Sequence, residues 1–403
     1  MNILILCSTF PYPPTKGRKQ LRTFQLLRYL QQRHQVTLLT RRSPEITDTE
    51  VATLREQVTE LVLFDIEQNT EPLRLIDKAK RWSKFIQQKT PPEILDNYSA
   101  EMADWINQAV AESRFEAIAC EDSADEIYLD PQWQEQLGVV LNLHFSAYGR
   151  YQQILATGDS ENELKDQLNL GLQKRYEEYY LAKFSVIVTV NSLDKRIVKK
   201  LAPESQVTII PNGVDLTEFP RRPTNQGEQK IVFVGSMDSP VNIDAAKFLA
   251  LEIFPAIRQR YPEAILKLVG VNPVTEIVEL GNLPGVEVTG EVSSVIEYLH
   301  WATVCVIPIR QGYGLRNRTL EAMAVGVPVV ASDRALAEFE VDGANVPLRA
   351  MRANTLDEYI YAIGRLFSEP KLRDKLSENG RSLVTSEYTW DKVGQKYEQV
   401  LIN

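Results

Sequence analysis

Cysteine is scarce: Cys7, Cys120 and Cys305 are the three in 403 residues. Each lies in an apolar run that reads as a strand, and so odd and sparse a set excludes a disulfide framework and fits a reducing compartment. No run of eighteen apolar residues occurs, so no transmembrane helix is expected. The opening MNILILCSTFPYPP lacks a basic start, and its hydrophobic stretch is too short for a signal peptide, which points to the cytoplasm. There is no G-x-G-x-x-G after the first strand and no Gly-x4-Gly-Lys anywhere, so a Rossmann dehydrogenase or a P-loop NTPase loses its main support. Repeats and low-complexity tracts are also missing.

What is present is average for a globular protein: 44% apolar, 25% charged and 8% aromatic residues, which excludes disorder and fibrous arrays. The length predicts two or three domains, each able to bury its own core. The net charge of −9 is uneven: eight Lys or Arg precede the first acidic residue, so the rest of the chain carries −17. Nucleic acid is therefore not an expected partner. The basic beginning (Lys16, Arg18, Lys19, Arg22, Arg28, Arg33, Arg41, Arg42) reads equally as a phosphate or anionic-membrane site and as a solvated helix face.

Short apolar runs alternate with helical spacing. Strands are predicted at 2–7, 35–40, 61–64, 115–120, 139–143 and 186–190, then at 230–234, 265–269, 286–288, 304–307 and 327–331. Helices are predicted between them and at 355–367, 371–385 and 390–402. This is α/β: two domains of mostly parallel sheet, with ligands expected beyond the carboxyl ends of the strands, in a cleft between the sheets. The expected boundaries are 1–205, 206–385 and a final helical segment 386–403 that packs back toward the first domain.

The loops after the strands contain the candidate chemistry. Gly17 precedes a helix with a basic start, where free amides, the helix dipole and Arg18 or Lys19 suit a phosphate; a turn requiring positive φ explains the glycine equally well. Residues 307–332, IPIRQGYGLRNRTLEAMAVGVPVVAS, place a Gly-rich turn and three arginines between a strand and a helix. The amides of Gly314 and Leu315 with Arg310, Arg316 and Arg318 suit a diphosphate. Glu321, one turn into that helix, needs hydrogen bonds to remain ionised there. A ribose diol would supply them, and so would Arg318 at i, i+3.

LEAMAVGVPVVAS, with PNGVD at 211–215 and a carboxy-terminal helix containing Trp390, resembles the GT-B, family-4 class of glycosyltransferases along nearly the whole chain. FPYPPTKG, GSMDSPVNIDA, LPGVEVTGEV and GLRNRTLEAMA resemble sugar transferases of exopolysaccharide systems. The resemblance implies two Rossmann-like domains facing across a cleft, a nucleotide-diphospho-sugar substrate in the second, an acceptor in the first, and metal-independent transfer with retention of configuration. No cofactor is implied. Glu321 would hold the ribose; Gly314, Leu315, Arg316 and Arg318 the diphosphate; and Gly235 and Ser236 would face the phosphates. Val292 lies in the loop that would present backbone to the base, Gly17 and Arg18 would close from the first domain, and His144 takes the place of a histidine near the sugar.

The family's E-x7-E pattern is incomplete, because the place of its first Glu is occupied by Tyr313, with Gln311 the nearest polar side chain. The loop GSMDSPVN lacks the Arg and Lys many members carry, and no D-x-D pair occurs. The expected activity is a retaining hexosyltransferase acting on a polysaccharide, glycolipid or other hydroxyl acceptor; a non-catalytic nucleotide-sugar-binding protein and an epimerase stay open. Residues 76–89, IDKAKRWSKFIQQK, mix five basic residues with Ile76, Trp82, Phe85 and Ile86. They fit either weak peripheral contact with the inner face of an anionic membrane, where a lipid-linked acceptor resides, or an ordinary surface helix.

Overall fold

A computed structural model describes residues 1–66, 90–95, 98–157, 160, 162–223, 227–312 and 317–402. The chain forms two compact units, Met1–Pro211 with Val393–Asn403, and Asn212–Lys392.

The first unit holds seven strands: β1 (Asn2–Cys7), β2 (Gln35–Arg42), β3 (Glu60–Asp65), β4 (Ala117–Cys120), β5 (Gly138–Leu143), β6 (Val186–Thr189) and β7 (Gln206–Ile209). Their order is β3-β2-β1-β4-β5-β6-β7, every pair parallel. Ile3, Leu4, Ile5 and Leu6 are successive and at most 1% exposed, so β1 is covered on both faces. That accounts for unbroken apolar runs where a one-sided sheet would show alternation.

The second unit repeats the plan with β8 (Lys230–Val234), β9 (Ile265–Val269), β10 (Val286–Gly290), β11 (Val304–Ile307), β12 (Val329–Ala331) and β13 (Met351–Arg352), in the order β10-β9-β8-β11-β12-β13, again parallel. Each sheet reverses direction beside its first strand, at β1/β4 and at β8/β11. In open parallel sheets that reversal opens a crevice beyond the carboxyl ends of the two strands. Topology thus singles out the segments after Cys7, Cys120, Val234 and Ile307.

Two edge strands were not expected. β7 pairs with β6 from Val186↔Gln206 to Thr189↔Ile209, which keeps the first unit going past residue 205 to Pro211. β13 is two residues long, too short to leave a periodic signal. The last helix, Trp390–Ile402, is divided: residues through Lys392 belong to the second unit and those from Val393 to the first. All three cysteines are buried and free. Among the described residues no helix is long and apolar enough to cross a membrane. The basic stretch 76–89 lies outside the described residues.

Candidate functional site

In the second unit the segments after β8 and β11 hold the candidate donor groups. Gly235 follows β8 and its N–H donates to Val269 O at 3.0 Å, so that amide is engaged by the neighbouring strand and is not offered to a ligand. Ser236 Oγ donates to Asp238 Oδ1 (2.5 Å), Asn272 Nδ2 to Asp238 Oδ2 (3.1 Å), and Asn242 Nδ2 to Ser236 O (2.9 Å). The hydrogen bonds from Ser236 and Asn272 hold the Asp238 carboxyl below its ordinary range. Asp238 is a polar member of this loop that the sequence reading passed over.

Beyond β11, Arg310 stacks on the Phe248 ring with its guanidinium carbon 4.4 Å from the centroid and binds Asp244 through two contacts of 2.6 and 3.1 Å. Its charge is therefore matched by a carboxylate of the same unit. Helix Asn317–Val325 buries Leu320, Ala322, Met323, Ala324 and Val325, and this anchors the polar pair on its other side. Arg318 Nη1 pairs with Glu321 Oε2, with side-chain exposures of 41% and 13%. This is the i, i+3 pairing, and a ribose diol at Glu321 would have to share or displace it. Tyr313, Gly314, Leu315 and Arg316 lie outside the described residues. Val292 is half-buried and packs on the core of this unit, so its side chain serves packing.

In the first unit a buried polar network fills the region beyond β1 and β4. Glu121, at 2% exposure, accepts hydrogen bonds from Thr23 Oγ1 (3.0 Å), Asn142 Nδ2 (2.8 Å) and Tyr397 OH (2.9 Å). Arg22, fully buried, donates from Nε to Asn142 Oδ1 (3.0 Å) and from Nη1 to Pro211 O (3.1 Å). Part of the basic beginning therefore faces inward, and the picture of a wholly solvated helix face does not hold for Arg22. Burial pushes the Glu121 carboxyl up against the opposing pull of its donors. Asp125, buried beside Asp122, is pushed up to about 7, and Ser8 N–H donates to it at 3.0 Å.

Gly17 precedes helix Arg18–Leu30 with φ 178°, an extended conformation open to any residue, so positive φ is not what calls for glycine there. A Cβ at Gly17 would meet Gln20 Oε1, the end of a flexible side chain, at 2.7 Å. The first turn of this helix has no side-chain cap. Arg18 is exposed and forms no ion pair among the described residues, whereas Lys19 pairs with Asp122.

His144 follows β5 and its Nε2 donates to Glu121 O at 2.8 Å. This fixes the tautomer and leaves Nδ1 as an acceptor. Burial, then the charge of Arg22, push His144 down to about 4, with Asp122 opposing. It lines a pocket of about 220 Å³ together with Asp122, Phe145, Gln173, Tyr176 and Glu177. Because the folded pKa lies below the ordinary 6.5, stability from the neutral ring is present above pH 6.5 and is lost as pH falls through about 4. The ring Cε1 proton of His144 is expected to titrate with a midpoint near 4 by NMR, and a midpoint of 6 to 7 would contradict the buried, singly hydrogen-bonded ring.

The family described as Glycosyltransferase Family 4 matches residues 21–218, and that described as Glycosyl transferases group 1 matches residues 228–369. The chain belongs to the GT-B, family-4 class of glycosyltransferases. It is 23% identical over 238 residues to the lipopolysaccharide 1,2-N-acetylglucosaminetransferase of Salmonella typhimurium, which is 54% of this chain and 62% of that protein. Over 198 residues it is 29% identical to the MMP alpha-(1->4)-mannosyltransferase of Mycolicibacterium hassiacum, 48% of this chain and 47% of that one. The match thus spans about half to three fifths of these relatives. Among solved structures, Anabaena HepE in complex with UDP is similar with a TM-score of 0.64 at 14% identity, covering 100% of both chains. At that identity the likeness establishes the GT-B fold. The first family match takes in Arg22, Glu121 and His144, and the second takes in Ser236, Arg310, Arg318 and Glu321. Among the described residues no group of three His, Cys, Asp or Glu is placed to hold a metal ion.

Proposed function

We propose that the chain transfers a sugar from a nucleotide-diphospho-sugar to a hydroxyl of a polysaccharide or glycolipid acceptor, with retention of configuration and without a metal. The observation that carries this reading is the Arg318–Glu321 pair on a buried helix after β11, within a matched glycosyltransferase family. Glu321 would take the ribose hydroxyls, and Arg318, Arg316 and the amides of Gly314 and Leu315 the diphosphate. Ser236 would contribute its hydroxyl once it turns from Asp238. The pocket beside His144 would receive the acceptor, with the neutral imidazole offering Nδ1 to a hydroxyl. A relative that is a lipopolysaccharide N-acetylglucosaminetransferase supports a glycan or glycolipid acceptor.

In this reading the bond from donor C1 to the β-phosphate oxygen breaks as an oxocarbenium-like state develops. The acceptor oxygen bonds to C1 from the same face, and its proton passes to the leaving phosphate oxygen. Arginine charge and preorganised amides stabilise the phosphate as it leaves, so neither a carboxylate nucleophile nor a metal is needed. The incomplete E-x7-E pattern, with Tyr313 at its first position, keeps a non-catalytic nucleotide-sugar binder as the competing reading.

The test is a thermal-shift screen against nucleoside diphosphates and nucleotide-sugars with and without magnesium, followed by transfer assays with the donor it selects. A ligand at 100 times its Kd stabilises by about 2.7 kcal/mol. A selective shift, equal with and without magnesium, followed by an α-linked product from an α-linked donor is expected. Binding without transfer or donor hydrolysis would decide for the competing reading. Arg318→Ala is expected to weaken a nucleoside diphosphate more than the bare nucleoside. Equal losses in calorimetry would show that Arg318 does not meet the phosphates.

A further inference from the structure

Four arginines of the second unit, Arg221, Arg222, Arg373 and Arg381, gather where three helices end. Arg222 Nη1 donates to Ala302 O (2.8 Å) just past helix Val295–Trp301, and Arg373 Nη1 to Leu366 O (2.7 Å) near the end of helix Leu356–Ser368. Arg381 Nη1 donates to Ala324 O at the end of helix Asn317–Val325, and the Arg222 amide to Val325 O (2.9 Å). Helix carboxyl ends attract cations, which explains why arginine occurs here but not why four gather. Burial, then Arg373 and Arg221, depress Arg222 to about 10, and burial, then Arg221, depresses Arg381. Asp374 is the carboxylate that offsets this charge.

Two side chains of the cluster have no hydrogen bond or ion pair among the described residues: the exposed Arg221 and Ser377, which is 8% exposed. The buried Nε of Arg373 is also without one. Arg373, Ser377 and Arg381 are spaced by four along helix Pro370–Glu387 and so share a face. Ser377 Oγ and Arg221 Cγ lie 2.8 and 3.9 Å from the point a Cβ on Gly326 would occupy. Gly326 has φ 83°, and with no side chain there the hydroxyl and the arginine border one space.

We propose that Arg221, Ser377 and Arg381 form a site for a phosphate group, with Arg222 and Arg373 behind them as fixed positive charge. The site adjoins the carboxyl end of helix Asn317–Val325, whose nine residues span about 13 Å and carry Arg318 and Glu321 near the amino end. It is thus separate from the candidate donor groups.

The test measures binding of inorganic phosphate and of glycerol phosphate to the full chain by calorimetry at fixed ionic strength. Saturable binding is expected, weakened about tenfold or more in Arg221→Ala and in Ser377→Ala and unchanged in Arg260→Ala, which removes an exposed arginine of helix Phe254–Arg260 outside the cluster. A preference for inorganic phosphate assigns the free anion, and a preference for glycerol phosphate assigns a phosphomonoester. Either result supports the site, provided the two variants keep the parent's melting midpoint without phosphate. Absence of saturable binding, equal affinity in Arg221→Ala, or an equal loss in Arg260→Ala would overturn it.

Discussion

Replacing Glu321 with alanine is expected to weaken donor binding about a hundredfold while leaving the melting midpoint nearly unchanged. The loss corresponds to roughly 3 kcal/mol, the scale of two ribose hydroxyls donating to one carboxylate after their water contacts are counted. Stability should change little because the pair opens to solvent on its arginine side: Arg318 is 41% exposed, and such partly exposed pairs contribute little. The substitution also frees Arg318, which then meets the diphosphate without competition, so the nucleoside should lose at least as much affinity as the nucleoside diphosphate. Arg318→Ala should show the reverse order. Glu321→Gln keeps an acceptor oxygen and should fall between the parent and Glu321→Ala. Calorimetry with a nucleoside and its diphosphate on all three variants checks the ordering; an unchanged affinity in a folded Glu321→Ala protein would remove Glu321 from the site.

Much of the fold could be read from local pattern because both sheets are parallel and doubly covered. Strands such as Asn2–Cys7 and Lys230–Val234 appear as short apolar runs, and helix Arg18–Leu30 as periodic Leu and Phe. The edge strand Gln206–Ile209 carries no such signal because it is short and half-buried, and its assignment depends on a neighbour rather than on its own residues.

The candidate site was read unevenly for the same reason. Glu321 and Arg318 are three residues apart, so their pairing could be foreseen. Glu121 is held by Tyr397, 276 positions away, and Arg310 by Asp244, 66 positions away; neither partnership has a local signature. A signal for the first was nonetheless present: four carboxylates in EDSADE, residues 121–126, directly after an apolar strand. Acidic residues packed that closely at a strand end either face solvent or are paid for by buried donors. Here Glu121, Asp125 and Glu126 are all buried.

Gly270→Ala is expected to be the most damaging single-methyl change in the second unit. Gly270 follows β9 at φ 155°, and a Cβ there would lie 1.6 Å from Gly235 O and 2.8 Å from Gly235 C. The obstacle is backbone, and it is fixed from both sides: Gly235 N–H donates to Val269 O (3.0 Å) and Met237 N–H to Val271 O (2.8 Å). Making room means breaking these bonds at the point where the chain leaves β8 for Ser236. Overpacking ordinarily costs about 1–3 kcal/mol, and an unfavourable φ adds about as much again. A total near 4 kcal/mol should lower the melting midpoint of this unit by about 10 °C, and donor affinity should fall with it because Ser236 shifts. Gly235→Ala provides the contrast. Its Cβ would meet Asn242 Nδ2 at 2.8 Å, a side chain that can swing away at the expense of its bond to Ser236 O. That change should cost about 1 kcal/mol. If melting curves show the two substitutions to be equally costly, the crossing of Gly235 and Gly270 is looser than these distances require, and the segment carrying Ser236 is not held by the β8–β9 pair.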